Sequence, residues 1–154
     1  MATVQVHRVY IKATAQAIWD AITQPEWSVQ YGYQAPMRYD LRPGGEFKGL
    51  ASEVMKQHGS PDVLIDGEVI EVDPPHKLVQ TWRAIWLEEG FTKLTFEIAE
   101  KTDGVCMLTV THDLEGAPLS AAQVMGEVEN AGGGWPELLS DLKSLLETGK
   151  SVYA

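Results

Sequence analysis

Apolar and polar positions alternate through the middle of this chain and switch to a helical period only near its two ends. VQVHRVYIKA (4–13) is rich in β-branched and aromatic residues and predicts a first strand. In TAQAIWDAIT, Thr14 is a candidate N-cap, and Ile18, Trp19 and Ile22 fall on one helical face. Pro25 ends that helix, and PEWSVQYGY predicts a second short helix or an irregular turn. The period then returns to two. MRYDL (37–41) and EFKGLASEVM (46–55) predict strands on either side of RPGG, where Pro43 presets one corner of a turn and Gly44 supplies a positive φ at the next. QHGSPD (57–62) reads as another turn before VLIDGEVIEV (63–72), which Asp73-Pro74-Pro75 stops. KLVQTWRAIW (77–86), a Glu88-Glu89-Gly90 turn, FTKLTFEIAE (91–100), a hairpin at Lys101 to Gly104 and VCMLTVTHDL (105–114) complete an antiparallel run.

The end of the chain changes character. Trp135, Leu138, Leu139, Leu142, Leu145 and Leu146 recur as a single apolar stripe, opposite Glu137, Asp141, Lys143 and Glu147. Such a helix must lie on something, and the sheet is the only large partner. PLSAAQVMGEVENA (118–131) also permits helix. Two arrangements are open: one long helix that starts near Ser120 and kinks at Gly132 to Gly134, the favoured one, or a helix that ends near Ala131 and restarts with Pro136 in its first turn. The order strand, two helical pieces, antiparallel strands, long helix predicts one α+β domain over residues 1–154.

Alternation assigns faces. Leu94, Phe96 and Ile98 share one side, as do Leu108, Val110 and His112. Trp82 travels with Leu78 and Gln80. The facing of Glu68, Gln80 and Arg83 stays open, because Val69 competes with Glu68 for the inner side and KLVQTW is apolar on both faces; a buried Glu68–Arg83 pair is one of the alternatives.

Composition narrows the function. With 12 basic and 22 acidic residues the formal net charge is −10, which disfavours nucleic-acid partners. There is no apolar run long enough to span a membrane, and MATVQVHRVYIK lacks a signal-peptide core, so a cytoplasmic location is expected; the lone Cys106 fits a reducing compartment. The histidines at 7, 58, 76 and 112 show no ligand-like spacing, and neither a nucleotide fingerprint nor a nucleophile elbow occurs, so no metal or cofactor is expected. What stands out is the aromatic content, including five tryptophans, suited to a greasy pocket with a few polar handles.

Four blocks in order, RPGGEF (42–47), GEVIEVDPPHKLVQTW (67–82), CMLTVTHDL (106–114) and GGGWPELLSDLKSLLETG (132–149), resemble the START-like (SRPBCC) helix-grip superfamily of plant pathogenesis-related allergens, polyketide cyclases and lipid-transfer domains. Within it the chain is most similar to bacterial single-domain proteins like the C-terminal domain of the heat-shock-chaperone ATPase activator. The resemblance implies a curved seven-stranded antiparallel sheet around the long C-terminal helix, two short helices between strands one and two, and a ligand-sized cavity. It brings no catalytic signature.

The expected function is binding of a small hydrophobic or amphipathic molecule between sheet and helix, against Trp19, Trp27, Tyr31, Phe47, Trp82, Phe96, Trp135 and Leu139, with His112 and Tyr31 orienting it. One alternative is a cyclase- or hydrolase-like enzyme using His112 in the same cavity. Another, implied only by the resemblance, is a protein-binding activator of a chaperone ATPase, ranked last because 154 residues leave no room for the N-terminal domain eukaryotic activators carry. Tyr31, Tyr33 and Tyr39 are candidates for a homodimer contact, or are ordinary exposed aromatics.

Overall fold

The computed structural model describes residues 3–154. In chain order it holds β1 (Val4–Ile11), α1 (Ala15–Thr23), α2 (Pro25–Ser28), β2 (Met37–Tyr39), β3 (Glu46–Leu50), α3 (Glu53–Gln57), β4 (Val63–Asp73), β5 (Lys77–Ala84), β6 (Thr92–Glu100), β7 (Cys106–Asp113), α4 (Pro118–Met125) and α5 (Gly134–Thr148). The strands form one seven-stranded antiparallel sheet in the order β1-β7-β6-β5-β4-β3-β2. Short hairpins connect β4 through β7, and β1 closes the far edge by pairing with β7 from Val4↔Asp113 to Ile11↔Cys106. The sheet curls around α5, the α+β helix-grip arrangement. No helix among the described residues is long and apolar enough to cross a membrane.

Local chemistry sets the element ends. Thr14 Oγ1 accepts from the Ala17 amide at 3.1 Å and starts α1, which buries Ile18, Trp19 and Ile22. The strand expected over 46–55 stops at Leu50 instead. Ser52 Oγ accepts from the Met55 amide at 3.2 Å, and this cap gives Glu53–Gln57 a helical alternative that leaves Val54 in solvent.

The long kinked helix expected at the C-terminus is two helices. Gly126 adopts a left-handed conformation (φ 82°) that ends α4 at Met125, and an irregular segment separates it from α5. Pro136 does sit in the first turn of the second helix, as the restart reading had it, but α4 stops earlier than Ala131.

Facing along β4 and β5 is also resolved. Val69 points inward at no exposure, so its neighbour Glu68 faces solvent, and a bulge between Val69 and Glu71 turns Val72 back to the same inner side. Gln80 is on the inner face. Arg83 is on the outer one, where it makes a two-pronged ion pair with Asp66 (3.1 and 2.9 Å), not with Glu68, and stacks on Phe91 at 4.5 Å.

Trp135, Leu139, Leu142 and Leu145 of α5 are buried, with Leu138 and Leu146 packed half-buried beside them. Asp141 departs from the expected polar face: it is only 2% exposed. At its C-terminal end α5 is bound to the sheet edge. Lys143 Nζ donates to the Tyr10 carbonyl at 2.6 Å, Glu147 Oε2 accepts from the Lys12 amide at 2.8 Å, and the two side chains pair at 2.7 Å. Here an ion pair occupies backbone groups that a further strand would otherwise take.

Candidate functional site

Between the N-terminal half of α5 and the concave face of the sheet lies a cavity of about 380 Å³. Strand alternation supplies its walls: Phe47 from β3, Ile65 from β4, Trp82 from β5, Leu94 and Phe96 from β6, Leu108 from β7. Trp135, Leu138, Leu139 and Leu142 of α5 form the roof, and Tyr31 and Tyr39 close one side. Phe96 and Trp135 meet edge to face, and Tyr39 stacks on Phe47 with centroids 4.7 Å apart. Tyr33, Met55, Trp86, Gln123 and Ala131 also border it, and Trp86 is half exposed, which places the mouth among the loops at this end of the sheet.

The glycine triplet shapes that mouth. A Cβ on Gly134 would lie 2.2 Å from the Val124 carbonyl oxygen, and one on Gly132 would lie 2.6 Å from the Tyr33 ring. The segment thus runs directly against the last turn of α4 and under a tyrosine. Gln123 Nε2 donates to the Ala131 carbonyl at 2.9 Å. From the other side, Glu89 in the β5–β6 loop accepts from the amides of Leu119 and Ser120 (2.9 and 2.8 Å) and from Ser120 Oγ (2.7 Å), capping α4 where Ala117 has no side chain to do so. Burial raises the Glu89 pKa, but these hydrogen bonds outweigh it and leave the net shift downward.

Two phenols are the polar feature of the inner wall. Tyr31 donates to the Ala21 carbonyl at 2.8 Å, and Tyr39 donates to Gln80 Oε1 at 2.6 Å. The orientation of the Gln80 amide follows from its other contact, since its nitrogen donates to the Thr81 carbonyl, which can only accept. Burial pushes both hydroxyls well above their ordinary range; Asp141 adds to the rise at Tyr31, and Tyr31 adds to it at Tyr39, so both are neutral phenols.

His112 is fully buried at the inner face of β7, one layer away from the cavity lining. The indole N–H of Trp135 donates to its Nδ1 at 3.2 Å, and Nε2 lies 2.8 Å from Thr92 Oγ1, whose own proton goes to the Trp82 carbonyl at 2.9 Å. An indole only donates and a carbonyl only accepts, so the chain has one consistent direction and His112 is the neutral Nε2–H tautomer. Burial, reinforced by nearby His7, lowers its pKa to about 4. Both ring nitrogens are committed within the protein, and none is left for general acid–base work.

Six of the nine expected site residues border the cavity: Tyr31, Phe47, Trp82, Phe96, Trp135 and Leu139. Trp19 belongs to the core under α1, Trp27 packs half-buried against that core, and His112 lies behind the wall. Of the three tyrosines considered for a homodimer contact, Tyr31 is buried and Tyr39 lines the cavity, leaving Tyr33 exposed. Asp141 escaped the sequence reading. Its Oδ2 accepts from the Gly32 amide (2.8 Å), and its Oδ1 accepts from Ser151 Oγ (2.6 Å) and the Val152 amide (2.8 Å), so one carboxylate ties the Tyr31–Tyr33 loop and the C-terminal tail to α5. Burial opposes its ionisation, but those three hydrogen bonds outweigh it and hold its pKa below the usual value. The available signal was positional: at 100° per residue Asp141 lies about 40° beyond Leu145 round the helix, at the margin of the stripe.

Residues 12–147 match the sequence profile of the family described as Activator of Hsp90 ATPase homolog 1-like protein. The chain belongs to that family. Solved structures agree on the fold. The crystal structure of CalU16 from Micromonospora echinospora is 19% identical, with a TM-score of 0.70 over 97% of this chain and 78% of that one. An HSP90 activator from Plasmodium falciparum is 19% identical, with a TM-score of 0.67 over 94% and 96% of the two chains. The Aha1 dimer from Colwellia psychrerythraea is 20% identical, with a TM-score of 0.69 over 96% and 98%. At these identities the likeness is one of fold. Among curated proteins none matches in sequence.

Proposed function

We propose that this protein binds a small apolar or amphipathic molecule between the sheet and α5. The observation that carries the reading is the cavity itself: about 380 Å³ walled by aromatic and aliphatic side chains from six strands and α5. An enzyme built on His112 is less well supported, because its two nitrogens are already held by Trp135 and Thr92. Displacement of Nile red, a neutral fluorescent dye, combined with native mass spectrometry of the purified protein, tests the proposal. We expect saturable dye binding that Leu138→Phe weakens at least tenfold by filling the roof. Absence of any apolar adduct and no dye binding would overturn it.

A second reading, action on a chaperone ATPase by protein contact, draws support from the family and from the half-exposed Trp86 at the mouth. Stimulation of a purified chaperone ATPase, abolished by Trp86→Ala, is the expected outcome; no change in ATPase rate and no association in a pull-down removes it. Self-association, as in the dimeric relative, is checked by light scattering on a sizing column.

A further inference from the structure

The chemistry of the cavity wall restricts what it accepts. Among the described residues bordering it there is no Lys, Arg, His, Asp or Glu. An ionised group placed inside meets no counter-charge and loses its water, which is the costliest form of burial. Tyr31 and Tyr39 supply oxygen, but each has its proton fixed on an acceptor inside the protein, Ala21 O and Gln80 Oε1. Toward the cavity a phenol in that state retains only lone pairs. Tyr33 and Gln123 add polar atoms toward the mouth, so the phenol oxygens are the acceptors of the inner wall.

We infer that the guest is uncharged over its buried part and carries a hydroxyl or N–H donor that meets the phenol oxygen of Tyr39. This rests on the ligand-binding reading and narrows it: neutral phenols, alcohols and indole-like molecules fit, and carboxylates such as ionised fatty acids do not. The ordering of Tyr39 is what sets the preference. Gln80, fully buried with its nitrogen turned to the Thr81 carbonyl, presents an oxygen to the phenol and so dictates the direction of the bond.

Calorimetric titration of the full chain at pH 7.5 with naphthalene, 2-naphthol and 2-naphthoate tests the inference with probes of one shape. We expect 2-naphthoate to bind at least a hundredfold more weakly than 2-naphthol, because its charge has no partner. Tyr39→Phe is expected to weaken 2-naphthol about fivefold, the worth of one neutral hydrogen bond, while naphthalene is unaffected. Gln80→Leu releases the phenol proton and is expected to improve 2-methoxynaphthalene, which can only accept, relative to 2-naphthol. Should Tyr39→Phe not fold, the naphthol–naphthoate contrast on the unaltered protein still decides. Equal or tighter binding of 2-naphthoate overturns the inference and leaves the cavity a binding site. Binding by none of the probes overturns both.

Discussion

The two halves of α5 rest on the same sheet under different conditions. Over the N-terminal half, Trp135, Leu138, Leu139 and Leu142 border, with Trp82, Leu94 and Phe96 of the sheet, an open cavity that the Phe96–Trp135 contact bounds on one side. Over the C-terminal half, Leu145 is buried in continuous core, and the Lys143–Glu147 pair fastens the helix to β1. Asp141 stands at the junction and ties the mouth loop and the tail to the helix. One amphipathic stripe therefore serves two purposes. The sealed half supplies packing that holds the helix down, and this allows the other half to leave a void that would otherwise be filled or collapse.

The sharpest way to break that comparison is to truncate one leucine in each half. Leu145→Ala removes close packing and is expected to cost about 3 kcal/mol in urea unfolding, whereas Leu138→Ala, half-buried beside the cavity, is expected to cost about 1 kcal/mol. Equal losses would mean that the two halves are packed alike.

Acid separates the halves in another way. His112 is held neutral beneath Trp135, with its folded pKa near 4 against an ordinary 6.5. The unfolded chain binds the extra proton first, so the stabilisation is complete above about pH 6.5 and declines as pH falls toward 4. The shift corresponds to about 3 kcal/mol across that window, and His112→Gln is expected to flatten the slope there in urea unfolding.

Asp141→Asn comes next. An amide cannot accept from the donors that Gly32, Ser151 and Val152 turn on both oxygens, and a loss of about 2 kcal/mol is expected. Because the native carboxylate has a lowered pKa, its contribution is complete above its ordinary 3.8 and disappears as pH falls through the folded value. Faster amide exchange at residues 30–34 in the variant will show that the mouth loop depends on this group. The smallest effect belongs to Lys143→Ala. Its ion pair is part-exposed, so about 0.5 kcal/mol is expected, with faster exchange at the Lys12 amide as the more telling sign that the edge of β1 has been uncovered.

Much of this arrangement could be read from residue order. Alternation placed Leu94, Phe96 and Ile98, then Leu108, Val110 and His112, on the inner face, and the leucine spacing gave the stripe of α5. What escaped was decided by groups distant in sequence. His112 faces inward as expected, but its partners come from β6 and α5, so its commitment to Thr92 and Trp135 has no local signature. Asp141 is buried because a loop and the tail bring it donors. Tyr39 belongs to a strand of three residues, too short for alternation to assign a face, and the β4 bulge brings Val72 to the inner side that Val69 occupies three residues earlier, which strict alternation does not allow. Gly126, not the triplet at 132–134, ends the preceding helix, because a left-handed residue closes a turn wherever it follows the last satisfied carbonyl.

The central claim is that the space under the first half of α5 admits a guest. Two-dimensional NMR of the isotopically labelled protein during titration with naphthalene tests it most directly. The account predicts saturable shifts at the indoles of Trp82 and Trp135 and along residues 135–142, with Leu145 and the β1 edge unmoved. Shifts confined to the outer face of the sheet, or none at saturating naphthalene, would contradict it.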